Sequence, residues 1–398
     1  MQTRPRLLLA RLLKRTGEYQ KAIAEMQAVL KRDPDSVDAK VELALLYVAT
    51  DRNDRARRLL RKSIEAMPGE YRWHYHLGEL SEMEGKIAEA IKYFARAFDL
   101  KPSTQTLDVL VSAMIKAGQT DMALQTLSSQ QPMLDEFPML QHLRGLALAR
   151  ANQQDEAKEA FTTALKACQT IDHVTTVARQ MSQGIGPMEA LAMLEQLLTG
   201  ENELIFSFVM SQYLVATAQF EAADERLRRL DELVSADAPL RIGMDKMLAM
   251  VKYQTGDYAN SRVAYERVLQ RNPDDIGALN NAAFLMGDLL GQPEEALVLA
   301  RRAHELDPRN SEVLDTLGWI EHLNGDSRDA ARTLRRSMDH GRTAANCLHL
   351  ARVLHAVDPI EHHDEVMDLL NVAQDQGKKS FNQKTVSLAR KLQDEWSE

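Results

Sequence analysis

Cysteine is nearly absent from this chain: Cys168 and Cys347 are the two present in 398 residues. Two thiols so far apart make no disulfide framework and lack zinc-ligand spacing, so both are expected to serve as small reduced core residues. Long apolar runs are missing as well. The longest, Leu43 to Ala49, has seven residues, against the roughly 18 needed to cross a bilayer. Aromatic residues make up 5% of the chain. No phosphate-binding GxxxxGK[ST] loop, GxSxG elbow or HExxH pair occurs, and with them go the usual signatures of nucleotide, hydrolase and zinc-protease chemistry. The net charge of −9 argues against nucleic acid as a partner. It is unevenly spread: residues 1–62 hold 15 Lys and Arg against 8 Asp and Glu, a local +7, so the remainder carries −16.

What is present is a helical palette. Ala, Leu, Glu and Arg dominate, and these residues lose little conformational freedom on entering a helix. Prolines then reveal a period. Pro34, Pro68 and Pro102 are 34 positions apart, Pro273 and Pro308 are 35 apart, and the 171 positions from Pro102 to Pro273 hold five units of about the same length. Other landmarks keep the frame. Gly78, Gly85, Ala90, Phe94 and Ala97 precede Pro102 at spacings repeated by Gly145, Ala157, Phe161 and Ala164, and by Gly318, Gly325 and Ala330. A fixed period near 34 without strand signals predicts stacked helical hairpins. Small residues at the eighth, twentieth and twenty-seventh offsets let helices approach. The large residue at the twenty-fourth is expected to fill the space between one hairpin and the next. Gly near the fifteenth ends the first helix, and Pro ends the second.

On these residues the chain resembles the tetratricopeptide (TPR) repeat proteins, in particular bacterial arrays. The resemblance implies an all-α, right-handed superhelical solenoid of about eleven hairpins with a C-terminal capping helix. It is strong in units one to three, five and eight to ten, and weaker in four, six and seven. Gly184-Ile185-Gly186-Pro187 is expected to strain a regular hairpin turn. That break suggests an N-terminal array over 1–182, a C-terminal array over 183–378, and a cap over 379–398 whose apolar stripe is Phe381, Leu388, Leu392 and Trp396.

The resemblance also implies that the first helix of each hairpin lines a concave groove. Position nine of units eight, nine and ten reads Met250, Phe284 and Trp319, expected as a continuous apolar stripe flanked by Lys246, Tyr253, Asn280, Asp315 and His322. Such exposed apolar stripes mark binding surfaces, with aromatic anchors dominating. A second patch is Val41, Leu45 and Val48 beside Tyr75. The chaperone-type carboxylate clamp fails, because Glu312 stands where it needs a cation. The Asn ladder of glycosyltransferase-linked superhelices fails too, since its row reads Leu8, Glu42, His76, Leu110 and Leu143.

Histidines cluster at His340, His349, His355, His362 and His363, but none are paired at the spacing that puts two imidazoles on one helix face, so no metal site is expected. No cofactor is expected. At the amino end Arg4, Arg11, Lys14 and Arg15 surround leucines. This reads as the solvated face of a first helix or as a docking face for an acidic membrane or partner. Arg11 interrupts the apolar run and argues against a signal peptide. A cytoplasmic location is expected, or a periplasmic or membrane-associated one if the start is truncated. The function expected is that of a non-enzymatic scaffold or adaptor gripping a protein or peptide segment. The alternative is a regulatory or substrate-recruiting subunit of a separate enzyme, or of a bacterial envelope, exopolysaccharide or export assembly.

Overall fold

A computed structural model describes residues 3–235, 238–379 and 383–396, the side chains of residues 3, 4, 379 and 383 excepted. Among the described residues there is no strand. The described helices run in chain order as eleven hairpins, with one short extra helix in the fourth, followed by a single helix. Two compact units divide the chain, Met1–Phe206 and Ser207–Glu398.

In the first unit the hairpins are Thr3–Arg15 with Tyr19–Leu30, Val37–Ala49 with Asn53–Ala66, Tyr71–Met83 with Ile87–Leu100, and Thr104–Lys116 with Thr120–Ser129. Hairpins five and six are Gln141–Arg150 with Gln154–Lys166 and Ile171–Ile185 with Pro187–Gln196. In each hairpin the two helices pack on each other, and from one hairpin to the next the second helix packs on the following first helix. The helix Ile171–Ile185 runs through the 182/183 boundary expected from the sequence.

Hairpin seven follows in the chain as Glu203–Ala216 and Phe220–Leu233. In the second unit follow Arg241–Gln254 with Tyr258–Arg271 as hairpin eight, and Ile276–Phe284, extended by a π-helical turn Leu285–Leu289, with Pro293–Leu306 as hairpin nine. Hairpins ten and eleven are Ser311–Leu323 with Ser327–His340 and Ala344–Val357 with His363–Lys379, and the terminal helix is Gln383–Trp396.

The periodic landmarks act as their chemistry requires. Ala66, Leu100, Arg271 and Leu306 are the last helical residues before Pro68, Pro102, Pro273 and Pro308. Turns between paired helices place one residue in the left-handed region, at Gly85 with φ 75° and Gly325 with φ 92°. Asp51, Asn152 and Ala218 hold the same conformation without being glycine. The offset-eight glycines are required by close approach. A Cβ on Gly78 would fall 2.4 Å from the Phe94 ring, and one on Gly145 would fall 2.8 Å from Phe161. This corrects one expectation: the offset-24 phenylalanine packs first on the glycine of its own hairpin. Phe161 also reaches the next hairpin, 3.6 Å from the Cβ position of Gly184.

Hairpin six absorbs its Gly-Pro stretch without the expected strain. Gly186 alone links the two helices at φ 93°, ψ 158°, and Pro187 takes the first helical position, where a missing N–H costs nothing. Hairpin four needs an extra short helix, Gln131–Glu136, where its terminal proline is lost. The terminal helix caps the second unit by a stripe that shares Leu392 and Trp396 with the one read from the sequence but not Leu388. Val386 and Ala389 are buried, Leu392 and Trp396 pack on the core, and Leu388 is exposed; Phe381 lies outside the described residues. Trp396 stacks on His355, ring centroids 3.9 Å apart.

Candidate protein-interaction surface

Successive first helices in the second unit carry Met250, Phe284 and Trp319, one per hairpin. Their exposures differ. Met250 is 36% exposed, Phe284 is half-buried against the core, and Trp319 is 1% exposed. The expected continuous exposed stripe is therefore corrected at Trp319. Its Nε1 donates to Asp288 Oδ1 at 2.8 Å, from the π-helical turn of the preceding hairpin. On the other side the next hairpin closes over it. The His349 ring stacks on the indole at 4.7 Å and 15°, and the Arg352 guanidinium lies 4.2 Å from the ring centroid. His349 and Arg352 are three apart on one helix, so one face delivers both. A buried indole N–H needs a partner, and Asp288 supplies it.

The flanking residues have separate partners of their own. His349 Nδ1 is 2.9 Å from Asp315 Oδ1, and His322 Nδ1 is 2.9 Å from Ser327 Oγ. Burial, helped by the charge of Arg352, holds His322 below the ordinary imidazole range. Burial likewise lowers the Arg352 guanidinium, with Asp288 opposing. Lys246 is tied to Asp275 at 2.6 Å. Tyr253 is half-buried, its ring tilted against Tyr258 at 5.9 Å, and burial raises its phenol. Asn280 is half-buried, and its side-chain oxygen has no hydrogen-bond partner among the described residues. Sequence reasoning missed Asp288 and Arg352. Arg352 stands one repeat beyond Trp319, at a spacing of 33, and that spacing was the available signal. Asp288 had none, because its approach depends on the π-helical turn, a type often found at functional positions.

The second patch is less open than expected. Val41, Leu45 and Val48 are half-buried, with Val41 and Val48 packed on the core of hairpins two and three. Tyr75 is buried: Gln105 donates to its hydroxyl at 3.2 Å, and its ring meets Phe94 edge-on at 6.1 Å. At the amino end, Arg11 Nε pairs with Glu42 at 2.6 Å, Lys14 is half-buried, Arg15 is exposed, and the Arg4 side chain lies outside the described residues. Leu7, Ala10 and Leu13 pack inward, while Leu8 and Leu12 are 61% and 57% exposed.

The carboxyl-proximal histidines are not brought together. His349 faces Asp315, His355 stacks on Trp396, His362 lies 4.0 Å from Glu365, and His340 and His363 are exposed. Among the described residues no group of three or more His, Cys, Asp or Glu is placed to hold a metal ion, and no helix is long and apolar enough to cross a membrane. Cys168 and Cys347 are free, and burial pushes both thiols up to about 11.

Helical hairpins repeating about every 34 residues, with Gly78 interlocked with Phe94 and Gly145 with Phe161, define a helical-repeat protein. Family models of the tetratricopeptide repeat match residues 13–79, 71–104 and 247–275. Over these residues the chain carries tetratricopeptide repeats. Among curated proteins it is 32% identical over 90 residues to "TPR repeat-containing protein PA4667" of Pseudomonas aeruginosa, covering 23% of this chain and 15% of that one. It is 29% identical over 119 residues to "Lipopolysaccharide assembly protein B" of Escherichia coli K12, covering 28% of this chain and 31% of that one. The chain thus spans less than a third of the length of either relative. Similar solved structures include the yeast Tom70 crystal structure, at 14% identity over 99% of this chain and 96% of that one, with a TM-score of 0.39. Another is the Naa15/Naa10 complex bound to HypK-THB, at 13% identity over 99% of this chain and 79% of that one, with a TM-score of 0.35.

Proposed function

We propose that the chain is a non-enzymatic scaffold that holds a partner protein segment along the first helices of hairpins eight to ten, with Met250 and Phe284 as apolar contacts. Tetratricopeptide arrays are protein–protein interaction scaffolds, which supports the general reading. One observation carries the placement. Met250 and Phe284 stand on adjacent first helices, and the two hairpins that follow hold Trp319, His349 and Arg352 together as a prebuilt wall. That wall is held by partners inside the protein, so a segment binding there meets ordered side chains and loses less entropy on docking. Lys246, Tyr253, Asn280, Asp315 and His322 form the polar border, as such surfaces need. Trp319 supports the surface from beneath.

The test is a quantitative capture of proteins from native lysate by the intact chain and by a Met250→Ala, Phe284→Ala variant shown by circular dichroism to be folded. Proteins lost with the variant support the reading; identical captured sets refute it. A second reading, a recruiting subunit within an envelope assembly, is favoured by the likeness over 119 residues to the lipopolysaccharide assembly protein. It predicts one partner at fixed stoichiometry, whereas a general scaffold yields several substoichiometric ones.

A further inference from the structure

The first unit holds a cleft that the reading above does not use. It has a volume of about 520 Å³ and is lined by the first helices of four consecutive hairpins, three to six. Its apolar floor includes Val109, Ile115 and Leu146. Its cations are Lys116, Arg150 and Arg179, and its acids are Glu82 and Asp108. Two of these charges cancel, because Lys116 is ion-paired with Glu82. Asp108 accepts from Ser112 Oγ at 3.1 Å and lies 3.8 Å from His142 Nε2. Arg150 and Arg179 make no ion pair or hydrogen bond with any described residue, and both are exposed at the cleft.

The placement of charge around the cleft is selective. Hairpins three to six, residues 71–196, carry 11 Lys and Arg against 15 Asp and Glu. Three of those cations line the cleft against two of the acids, Glu82 and Asp108, and Glu82 is taken by Lys116. An acidic segment is therefore drawn to the cleft in preference to the rest of hairpins three to six, over a range of about 10 Å at ordinary salt. The walls are also ordered in advance. His142 is fully buried, with Nδ1 2.6 Å from Gln180 Oε1 and Nε2 facing Asp108, so it braces one residue on each side.

We infer that this cleft binds an acidic peptide segment, with at least two carboxylates received by Arg150 and Arg179 and an apolar side chain resting on Leu146 and Val109. Guanidinium pairs with carboxylate through two parallel hydrogen bonds, which fixes orientation as well as sign. The two arginines sit on adjacent hairpins, so they read spacing along the segment. The site is separate from the Met250–Phe284 surface and stands or falls independently of it.

The experiment titrates the full chain with a fluorescein-labelled peptide of Glu, Leu, Ser and Gly, and follows anisotropy at low salt. Counterparts with Gln or Lys in place of Glu serve as probes of charge. Wild type is expected to bind the Glu peptide and not the Gln peptide. Arg150→Gln with Arg179→Gln weakens binding at least about tenfold, while Arg309→Gln, an exposed cation of the second unit, leaves it unchanged. Arg150→Glu with Arg179→Glu loses the Glu peptide and gains the Lys peptide, an exchange that loss of folding does not produce; circular dichroism monitors the fold. Equal binding by the double Gln variant overturns the proposal. So does failure of the Glu peptide to bind wild type, or binding of inorganic polyphosphate at Arg150 and Arg179 in its place.

Discussion

Replacing Gly78 by Ala tests the physical basis of the repeat. The new Cβ falls 2.4, 2.5 and 2.9 Å from three atoms of the Phe94 ring, where ordinary contact begins near 3.4 Å. The ring is fully buried, and a rigid ring cannot fold away as the end of a leucine can. It must shift as a body by roughly 1 Å, and such overpacking costs about 1–3 kcal/mol. Against this, Ala is favoured over Gly inside a helix by about 1 kcal/mol. The net expectation is a loss of about 1 kcal/mol. Phe94→Ala alone costs about 3–5 kcal/mol. In that background the Gly78→Ala change meets no ring and becomes stabilising by about 1 kcal/mol, a coupling of about 2 kcal/mol across the cycle. Arrays of hairpins open locally rather than all at once. The assay is therefore native-state hydrogen exchange of amides in residues 71–100, supported by urea unfolding. If Gly78→Ala is as stable as wild type, or its effect is the same with and without Phe94, the interlocking account fails.

Three further outcomes are expected. Trp319→Ala destabilises the second unit by about 3–5 kcal/mol, while Trp319→Phe keeps most of the packing but leaves Asp288 without its indole donor; differential scanning calorimetry ranks the two. Ala218→Gly stabilises by about 0.5–1 kcal/mol, because Ala218 holds φ 58°, which costs a residue with a Cβ about 1–2 kcal/mol, partly offset by unfolded-state freedom. Burial, with Arg179 adding to it and Asp108 opposing, holds His142 below its ordinary imidazole value. The unfolded chain then binds the proton more readily, so stability is flat above about pH 6.5 and falls as pH drops from there toward the lowered native value. Urea midpoints between pH 8 and 5 check this, and His142→Gln flattens the slope.

The fold was legible because its landmarks are local and periodic. Gly78, Phe94 and Pro102 each do one job at a fixed offset, and the same job recurs about 34 residues later. That frame counted eleven hairpins. What escaped it depends on contacts between rungs. Trp319 stands at an outward offset, yet His349 and Arg352 of the following hairpin close over it and Asp288 reaches back to it. Tyr75 is covered likewise by Gln105, 30 positions away. Periodicity tells which side of a helix a residue occupies but not how long its neighbours' side chains are. The single-residue link at Gly186 and the π-helical turn Leu285–Leu289 were hidden for another reason. Each is a departure from regular geometry that the surrounding packing selects over the ordinary hairpin.

Site-specific photocrosslinking tests the scaffold reading most directly. A photoreactive residue is placed at Met250 on the first helix of hairpin eight, and in a second protein at Val298, an exposed position on the second helix of hairpin nine. Each intact chain is irradiated in native lysate, and adducts are resolved by mass. The account predicts a discrete adduct from position 250 that disappears with Phe284→Ala, and none from 298. Equal crosslinking from both positions, or an adduct at 250 indifferent to Phe284, contradicts it.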